Sequence, residues 1–367
     1  MAERDEGGVK APLDLFKGVV KGIQKRYGPE AAIRLSGAVG GVTNIPYWIS
    51  TGALNFDAVL GGGIAGGRII ELFSRNESEG KTSIAAHIAR ECQKMGGCVV
   101  YGDMEQTAHE SYFKTLGVDV ENNFYLSRPD TLEHLFGIIE AFAEGVREQN
   151  ETCPFLFVVD SVAASQTKSQ LDAEYEDKQM AEQARAVSSG LRKLNPTITK
   201  TQTTLLLLNQ SRTKIGVMFG DPDDTPGGRA MKFYASQRII LRKAKAIKVS
   251  GTDDDKTAPI IGIEIEATIK KNKVAAPFGK AMFEFYFNKG INYPASVFDF
   301  GVSRGVFIKE SPGFFSHKVY GGKFRRADFV AGFVTPDIQK IHTELRKLAM
   351  EPPAFVAAIE EEEVDGA

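Results

Sequence analysis

The chain has 367 residues, 43% of them hydrophobic and 25% charged, an ordinary make-up for a soluble globular protein with one large domain and one or two small ones. No run of about 18 apolar residues exists, so no membrane span is expected, and the charged start MAERDEGGVK lacks the apolar stretch of a secretory signal. A net charge of −2 excludes an indiscriminate polyanion binder but leaves room for a local basic groove.

The first expected element is a helix over 11–28, with Phe16, Val19, Val20, Ile23 and Tyr27 on one face and Lys17, Lys21 and Lys25 on another. The glycine-rich linker SGAVGGVTN (36–44) follows it, so its apolar face must be covered by its own domain or by a neighbouring subunit. Strand and helix then alternate. IIELF (69–73) reads as a strand, 81–95 as a helix and CVVYGD (98–103) as a strand. Helices over 107–116 and 131–148 lead to the apolar run PFLFVVD (154–160). A helix over 178–194 precedes the strand TTLLLLNQ (203–210). Uninterrupted apolar strands flanked by helices predict a mostly parallel sheet covered on both faces. From QRIILRK (237–243) through IGIEIEATIKK (261–271) and KAMFEFYF (280–287) the pattern predicts antiparallel strands extending that sheet. A small mixed α/β unit follows from 290, with an amphipathic helix over 336–349. Its end, AAIEEEEVDGA, is an acidic tail, either a solvated terminus or a competitor for nucleic acid in a basic groove. The three cysteines, Cys92, Cys98 and Cys153, are unpatterned and read as reduced core thiols of a cytosolic protein. The five histidines show no metal-ligand spacing.

Chemistry concentrates at the strand ends. SRNESEGKTS (74–83) ends in the Gly-Lys-Thr of a phosphate-binding loop, between a strand and a helix as such a loop requires, but Arg75 stands where the full pattern has its first glycine. Read as that loop, it would turn backbone N–H groups to phosphate oxygens, with Lys81 neutralising phosphate and the Thr82 hydroxyl holding magnesium. Alone, the tripeptide is equally a coincidence. Asp160, closing FLFVVD, suits a second magnesium-shell carboxylate, or else a strand-terminal turn. Glu105, in YGDMEQT, could orient or deprotonate the attacking water, with Asp103 as the local competitor. Gln210 could sense the γ-phosphate and pass its state to the loop SRTKIGVMFGDPDDTPGGR (211–229), or simply cap its strand. In that long loop Arg212 and Lys214 suit phosphate contacts. Met218 and Phe219 could wedge between bases, and Gly227 and Gly228 allow close backbone approach.

Taken together, the strings STGALNFDAVLGGG, ESEGKTS, LGVD, VVDSVAA, NQSRTKIGVMFG, TPGGRAMKFYAS and KNKVAAPF resemble the bacterial RecA recombinase family, in the family's order and over nearly the whole chain. The resemblance implies an α/β fold: a RecA-type P-loop ATPase core with a mostly parallel central sheet (46–289). An N-terminal polymerisation helix and linker (1–45) would precede it, and a small α/β C-terminal domain with the acidic tail (290–367) would follow. It implies ATP and Mg2+ as cofactors. Glu77, Ser78, Glu79, Gly80, Lys81, Thr82 and Ser83 would form the nucleotide loop, Asp160 with Ser161 the second magnesium shell, and Tyr112 the adenine stack. Glu105 would be the catalytic carboxylate and Gln210 the link to the DNA loop, while Lys271 and Lys273 would reach the neighbouring subunit's ATP. Met180, Arg185, Ser188, Arg192, Arg212, Lys214, Met218, Phe219, Gly227, Gly228 and Arg229 would contact DNA.

The implied function is a DNA-dependent ATPase serving recombination, repair and the SOS response. It would form a helical filament on single-stranded DNA, pair it with homologous double-stranded DNA and exchange strands, in the cytoplasm of a bacterial cell or phage-infected host. A filament-forming DNA binder with little hydrolysis is the same-fold alternative, and a P-loop kinase or switch the different-class one. The chain departs from the family at Ser74, Arg75 and Asn76, at His109 near the adenine position, and in the acidic DAEYEDKQM of the first DNA loop.

Overall fold

The computed structural model describes residues 12–32, 45–173, 180–213, 223–249, 258–317, 321–332 and 336–349. It divides into two compact units between Asn44 and Ile45. The first contains helix α1 (Pro12–Tyr27) and a short 3-10 turn (Pro29–Ala31), with Phe16, Val19 and Tyr27 exposed. The linker 36–44, residues 174–179 of the expected first DNA loop (about 172–181), the loop segment 214–222 and the acidic tail lie outside the described residues.

The second unit begins with a ribbon of β1 (Trp48–Ile49) and β2 (Ile64–Ala65) enclosing helix α2 (Leu54–Leu60). The alternating region follows in chain order. Strand β3 (Ile69–Ser74), helix α3 (Lys81–Lys94), strand β4 (Cys98–Asp103), helix α4 (Glu110–Thr115) and strand β5 (Phe124–Ser127) come first. Helix α5 (Leu132–Gln149), strand β6 (Phe155–Asp160), helices α6 (Lys168–Asp172) and α7 (Met180–Lys200), and strand β7 (Thr203–Gln210) complete it. A ribbon of β8 (Arg212–Thr213) and β9 (Asp223–Asp224) leads to helix α8 (Gly228–Tyr234). Strands β10 (Gln237–Lys248), β11 (Ile260–Asn272), β12 (Lys280–Tyr286) and β13 (Gly290–Ile291) form a wing of the sheet. The C-terminal elements are helix α9 (Tyr293–Ser303), the sheet of β14 (Phe307–Ser311), β15 (Phe314–His317) and β16 (Gly321–Phe324), and helices α10 (Arg326–Ala331) and α11 (Pro336–Ala349).

The central sheet has nine strands in the order β13-β12-β11-β10-β3-β7-β6-β4-β5. All neighbours from β10 to β5 run parallel, and β11, β12 and β13 are antiparallel additions. The two-residue period sorts the apolar runs onto two faces. Leu156, Val158, Leu206 and Leu208 join α3 in one buried cluster. Phe155, Phe157, Val159, Leu205 and Leu207 join α5 and α7 in another. Burial on both faces is why these strands read as unbroken apolar runs. A third cluster holds Phe298, Phe307, Phe329 and Leu345 of the C-terminal elements against Leu54 of α2.

The structure departs from the sequence reading at several points, of which four bear on the core. Strand β10 is antiparallel only to β11; against β3 it runs parallel, which makes it the hinge between the core and its wing. The edge strand β5 was not foreseen, because FYLS is short and Tyr125 and Leu126 are exposed. Helix α7 runs past Leu194 to Lys200 with Pro196 inside it; burial of Leu194 and Ile198 outweighs the missing proline N–H. Helix α4 starts at Glu110 rather than 107, because the N–H groups of Thr107 and Ala108 are drawn to the Asp103 carboxylate (3.1 Å each).

Candidate active site

Strand β3 delivers Ser74 to the carboxyl edge of the sheet, and the chain turns through 75–80 into α3. Gly80 adopts φ 90°, and a Cβ there would fall 2.9 Å from Ile265 Cδ1, so this position takes glycine on two counts. Among the described residues no side chain caps α3, which leaves the amides of its first turn open to an anion. The entrance needs no glycine at 75, since Arg75 and Asn76 both avoid positive φ. Instead the buried Glu79 carboxylate accepts the N–H of Arg75 (3.0 Å), the N–H of Asn76 (3.1 Å) and Asn76 Nδ2 (3.0 Å).

Lys81 is buried and its Nζ donates to Ser74 Oγ (2.7 Å) and Asn76 O (3.4 Å). Burial pulls its pKa below the usual lysine value, against the opposing charges of Asp160 and Glu105. Thr82 Oγ1 donates to Asp160 Oδ2 (2.8 Å), and the Tyr101 hydroxyl donates to the same oxygen (2.5 Å). Burial raises the Asp160 carboxyl above the usual range, although both hydrogen bonds pull it down.

The two carboxylates past β4 part company. Asp103 is buried and accepts the N–H groups of Thr107 and Ala108 and Arg128 Nε (3.3 Å), so its lone pairs are spent on the turn. Glu105 is exposed; Ser161 Oγ donates to its Oε1, and its own N–H donates to Asp160 O (3.2 Å). The geometry thus separates an anchoring Asp103 from a Glu105 available to a reacting water.

A cavity of about 230 Å3 opens above the loop, lined by Glu77, Ser78, Gly80, Lys81, Thr82, Ser83 and Tyr112, with Ile263, Phe285 and Phe287 from the wing. The Tyr112 hydroxyl and Ser83 Oγ lie 2.5 Å apart. His109 contacts Ser111 Oγ through Nδ1 and does not line this cavity. Lys271 and Lys273 do not line it either. Lys271 Nζ donates to the carbonyls of Lys232 (2.6 Å) and Phe233 (3.2 Å), and Lys273 Nζ to that of Phe233 (3.3 Å), at the end of α8. Burial, then the charges of Lys273 and Arg238, lower Lys271 to about 8.

Gln210 ends β7, its N–H bonded to Asn209 Oδ1 (3.0 Å). Beside it lies a buried polar network that the sequence reading missed. Asn209 Nδ2 donates to Glu71 Oε1 (3.1 Å) and to the carbonyl of Pro226 (3.0 Å), and Arg238 Nε donates to Glu71 Oε2 (2.5 Å). The available signal was the glutamate inside the apolar run IIELF: a buried charge requires a buried partner.

On α7, Arg185, Ser188 and Arg192 share one face by helical spacing, with both arginines exposed, while Val187, Leu191 and Leu194 are buried on the other. A Cβ at Gly227 (φ 88°) would fall 2.8 Å from Val187 Cγ1, so the start of α8 packs directly on α7. That contact, on the buried side of α7, fixes the start of α8, where Gly228 takes φ 56° and Arg229 is exposed. Met180 opens α7 and Arg212 lies in β8, with their side chains outside the described residues; Lys214, Met218 and Phe219 lie wholly outside them.

A family model of the RecA N-terminal domain matches residues 15–292. The chain is 40% identical to Protein RecA of Ruminococcus albus over 300 residues, covering 81% of this chain and 70% of the relative. It is likewise 40% identical to Protein RecA of Clostridium beijerinckii over 306 residues (83% and 80%). Against Protein RecA of Heliobacterium modesticaldum the identity is 38% over 307 residues (83% and 84%).

Proposed function

The chain belongs to the bacterial RecA family of recombinases, which pair single-stranded DNA with homologous duplex and exchange strands, and on that premise we propose that it does so as a DNA-dependent ATPase filament. The observation that carries this reading is the convergence of Lys81, Thr82, Asp160 and Glu105 on the edge of the sheet where β7 also ends, with the Asn209 side chain of β7 bonded to the carbonyl of Pro226 just before α8.

The residues present fit a nucleotide and a hard divalent ion. The uncapped first turn of α3 offers amides to phosphate, and the paired oxygens of Thr82 and Asp160 suit a magnesium ion that keeps water and phosphate ligands. Bound there, the ion would neutralise charge building on the phosphates. The chain's own residues do the rest. Lys81 exchanges Ser74 for phosphate oxygen, Tyr112 presents its ring to the base, and Ser161 holds Glu105 where it can orient water and accept a proton. Gln210 would couple the phosphate end to the DNA loop, and Lys271 and Lys273, on releasing the end of α8, would complete a neighbouring subunit's site. Arg185, Ser188, Arg192, Gly227, Gly228 and Arg229 would lie along the DNA backbone, with Met180, Arg212, Lys214, Met218 and Phe219 completing the groove.

ATP hydrolysis measured with and without single-stranded DNA tests this reading. Hydrolysis stimulated by DNA is expected. Filaments without hydrolysis would favour a passive DNA binder, and hydrolysis indifferent to DNA would favour a kinase or switch.

A further inference from the structure

The three cysteines do not behave alike. Cys92 lies on the buried face of α3, its thiol pointing at the carbonyls of Cys98 and Pro154 (3.9 Å each). A Cβ at Gly97 would fall 2.6 Å from its sulphur, so the chain is closed tightly over it. Burial pushes its thiol up to about 12, which leaves almost no thiolate. Cys98 and Cys153 are both partly exposed, with their sulphurs 3.8 Å apart. They line one side of an open groove of about 620 Å3, with Gly96, Phe142, Gly145 and Asn150 around them.

The fold already holds the two sulphurs next to each other. Cys98 opens β4 and its N–H donates to the carbonyl of Pro154 (2.9 Å), in the ladder that pairs Cys98 with Phe155. Cys153 immediately precedes that proline. The ladder thus brings the two segments side by side, and the sulphurs, 3.8 Å apart, must close to a disulfide's about 2.05 Å, which takes side-chain rotation with a small movement of the chain at Cys153. The glycines at 96 and 145 keep the groove beside them open to a small oxidant.

We propose that Cys98 and Cys153 form a vicinal dithiol modification site that a peroxide-class oxidant closes to a disulfide. In the first step a sulphur of the pair attacks one peroxide oxygen, giving a sulfenic acid and one water. We assign this step to Cys153, which lies in the connection before β6 on the wall of the open groove, and the second to Cys98 at the start of β4. In the second step Cys98 loses its proton and attacks the Cys153 sulphur, and the hydroxyl leaves as a second water. Two thiol electrons and two protons reduce one peroxide, so the step balances. The bridge joins residues 55 apart in sequence at the end of β4 opposite Asp103. Neither nucleotide nor DNA enters this chemistry.

The test treats the full, reduced chain with hydrogen peroxide, then denatures and alkylates it without reductant. Alkylatable thiols should fall from three to one, and peptide mapping should recover Cys98 joined to Cys153 within a single chain. In Cys98→Ser the second step is blocked, so a dimedone-type reagent should trap a sulfenic acid on Cys153. Three thiols remaining after a dose that oxidises a free small thiol would overturn the proposal. So would a bridge that uses Cys92 or links two chains.

Discussion

At the nucleotide end of the sheet the working side chains are held by the chain itself: Lys81 on Ser74, Thr82 on Asp160, Ser161 on Glu105, Ser83 against Tyr112. On α7 and α8, Arg185, Arg192 and Arg229 stand exposed on a frame whose buried side is apolar. The first arrangement fixes each group before any ligand arrives, so the loss of one group leaves a partner stranded. The second spreads the work over exposed charges, whose effects are smaller and screened by salt. Substitutions should therefore act abruptly at one end and gradually at the other.

The largest effect is expected for Lys81→Ala, which removes the one ammonium inside the loop and should reduce ATP hydrolysis to background; substantial turnover would break the assignment of the phosphate site. Glu105→Gln keeps the shape and the Ser161 contact but removes the base, so hydrolysis should slow about 10²–10⁴-fold with nucleotide binding retained. If Asp103→Asn rather than Glu105→Gln produced that profile, the separation of the two carboxylates would be wrong. Next comes the gradual end. Each of Arg185→Ala, Arg192→Ala and Arg229→Ala should weaken single-stranded DNA binding and lower the slope of log affinity against log salt by about 0.7. Unchanged slopes would remove these residues from the DNA face. Glu79→Ala should be milder than loss of Lys81. It leaves the amides of Arg75 and Asn76 without their acceptor, costing about 1–3 kcal/mol in loop order, so KM for ATP should rise while kcat changes little.

The same contrast explains what was legible in the sequence. The parallel core could be read because FLFVVD and TTLLLLNQ are buried on both faces, so their polar residues fall at the strand ends and leave an unbroken apolar run between. Strand β5 could not, since its exposed Tyr125 and Leu126 break that pattern. Nor could the course of α7 through Pro196, which depends on distant burial rather than on local preference. At the site, Gly-Lys-Thr marked the loop, but not how it opens. Glu77 and Glu79 are alike in sequence, and only the fold turns Glu79 onto the amides of Arg75 and Asn76. For Asp103 and Glu105 the sequence favoured Glu105 but gave no reason for Asp103 to stand aside, which the amides of Thr107 and Ala108 supply.

The smallest predicted effect is also the one that measures what preorganisation costs at the nucleotide end. Burial holds the Asp160 carboxyl above its ordinary value, so the folded chain binds this proton more tightly than the unfolded chain does. Stability from this group is then fully present below the unfolded carboxylate pKa. It is lost as pH rises from there through the raised folded value. Asp160→Asn cannot lose a proton. The melting temperature of the variant minus that of the parent, without nucleotide, should therefore climb across that window and level off above it. Adding ATP and magnesium should reverse the sign at neutral pH, because ligands that favour the ionised carboxylate stabilise the parent and not the variant. A difference that stays flat with pH would show that the hydrogen bonds from Thr82 and Tyr101 already offset the burial of Asp160. In that case the nucleotide end would carry no more strain than the exposed arginine face.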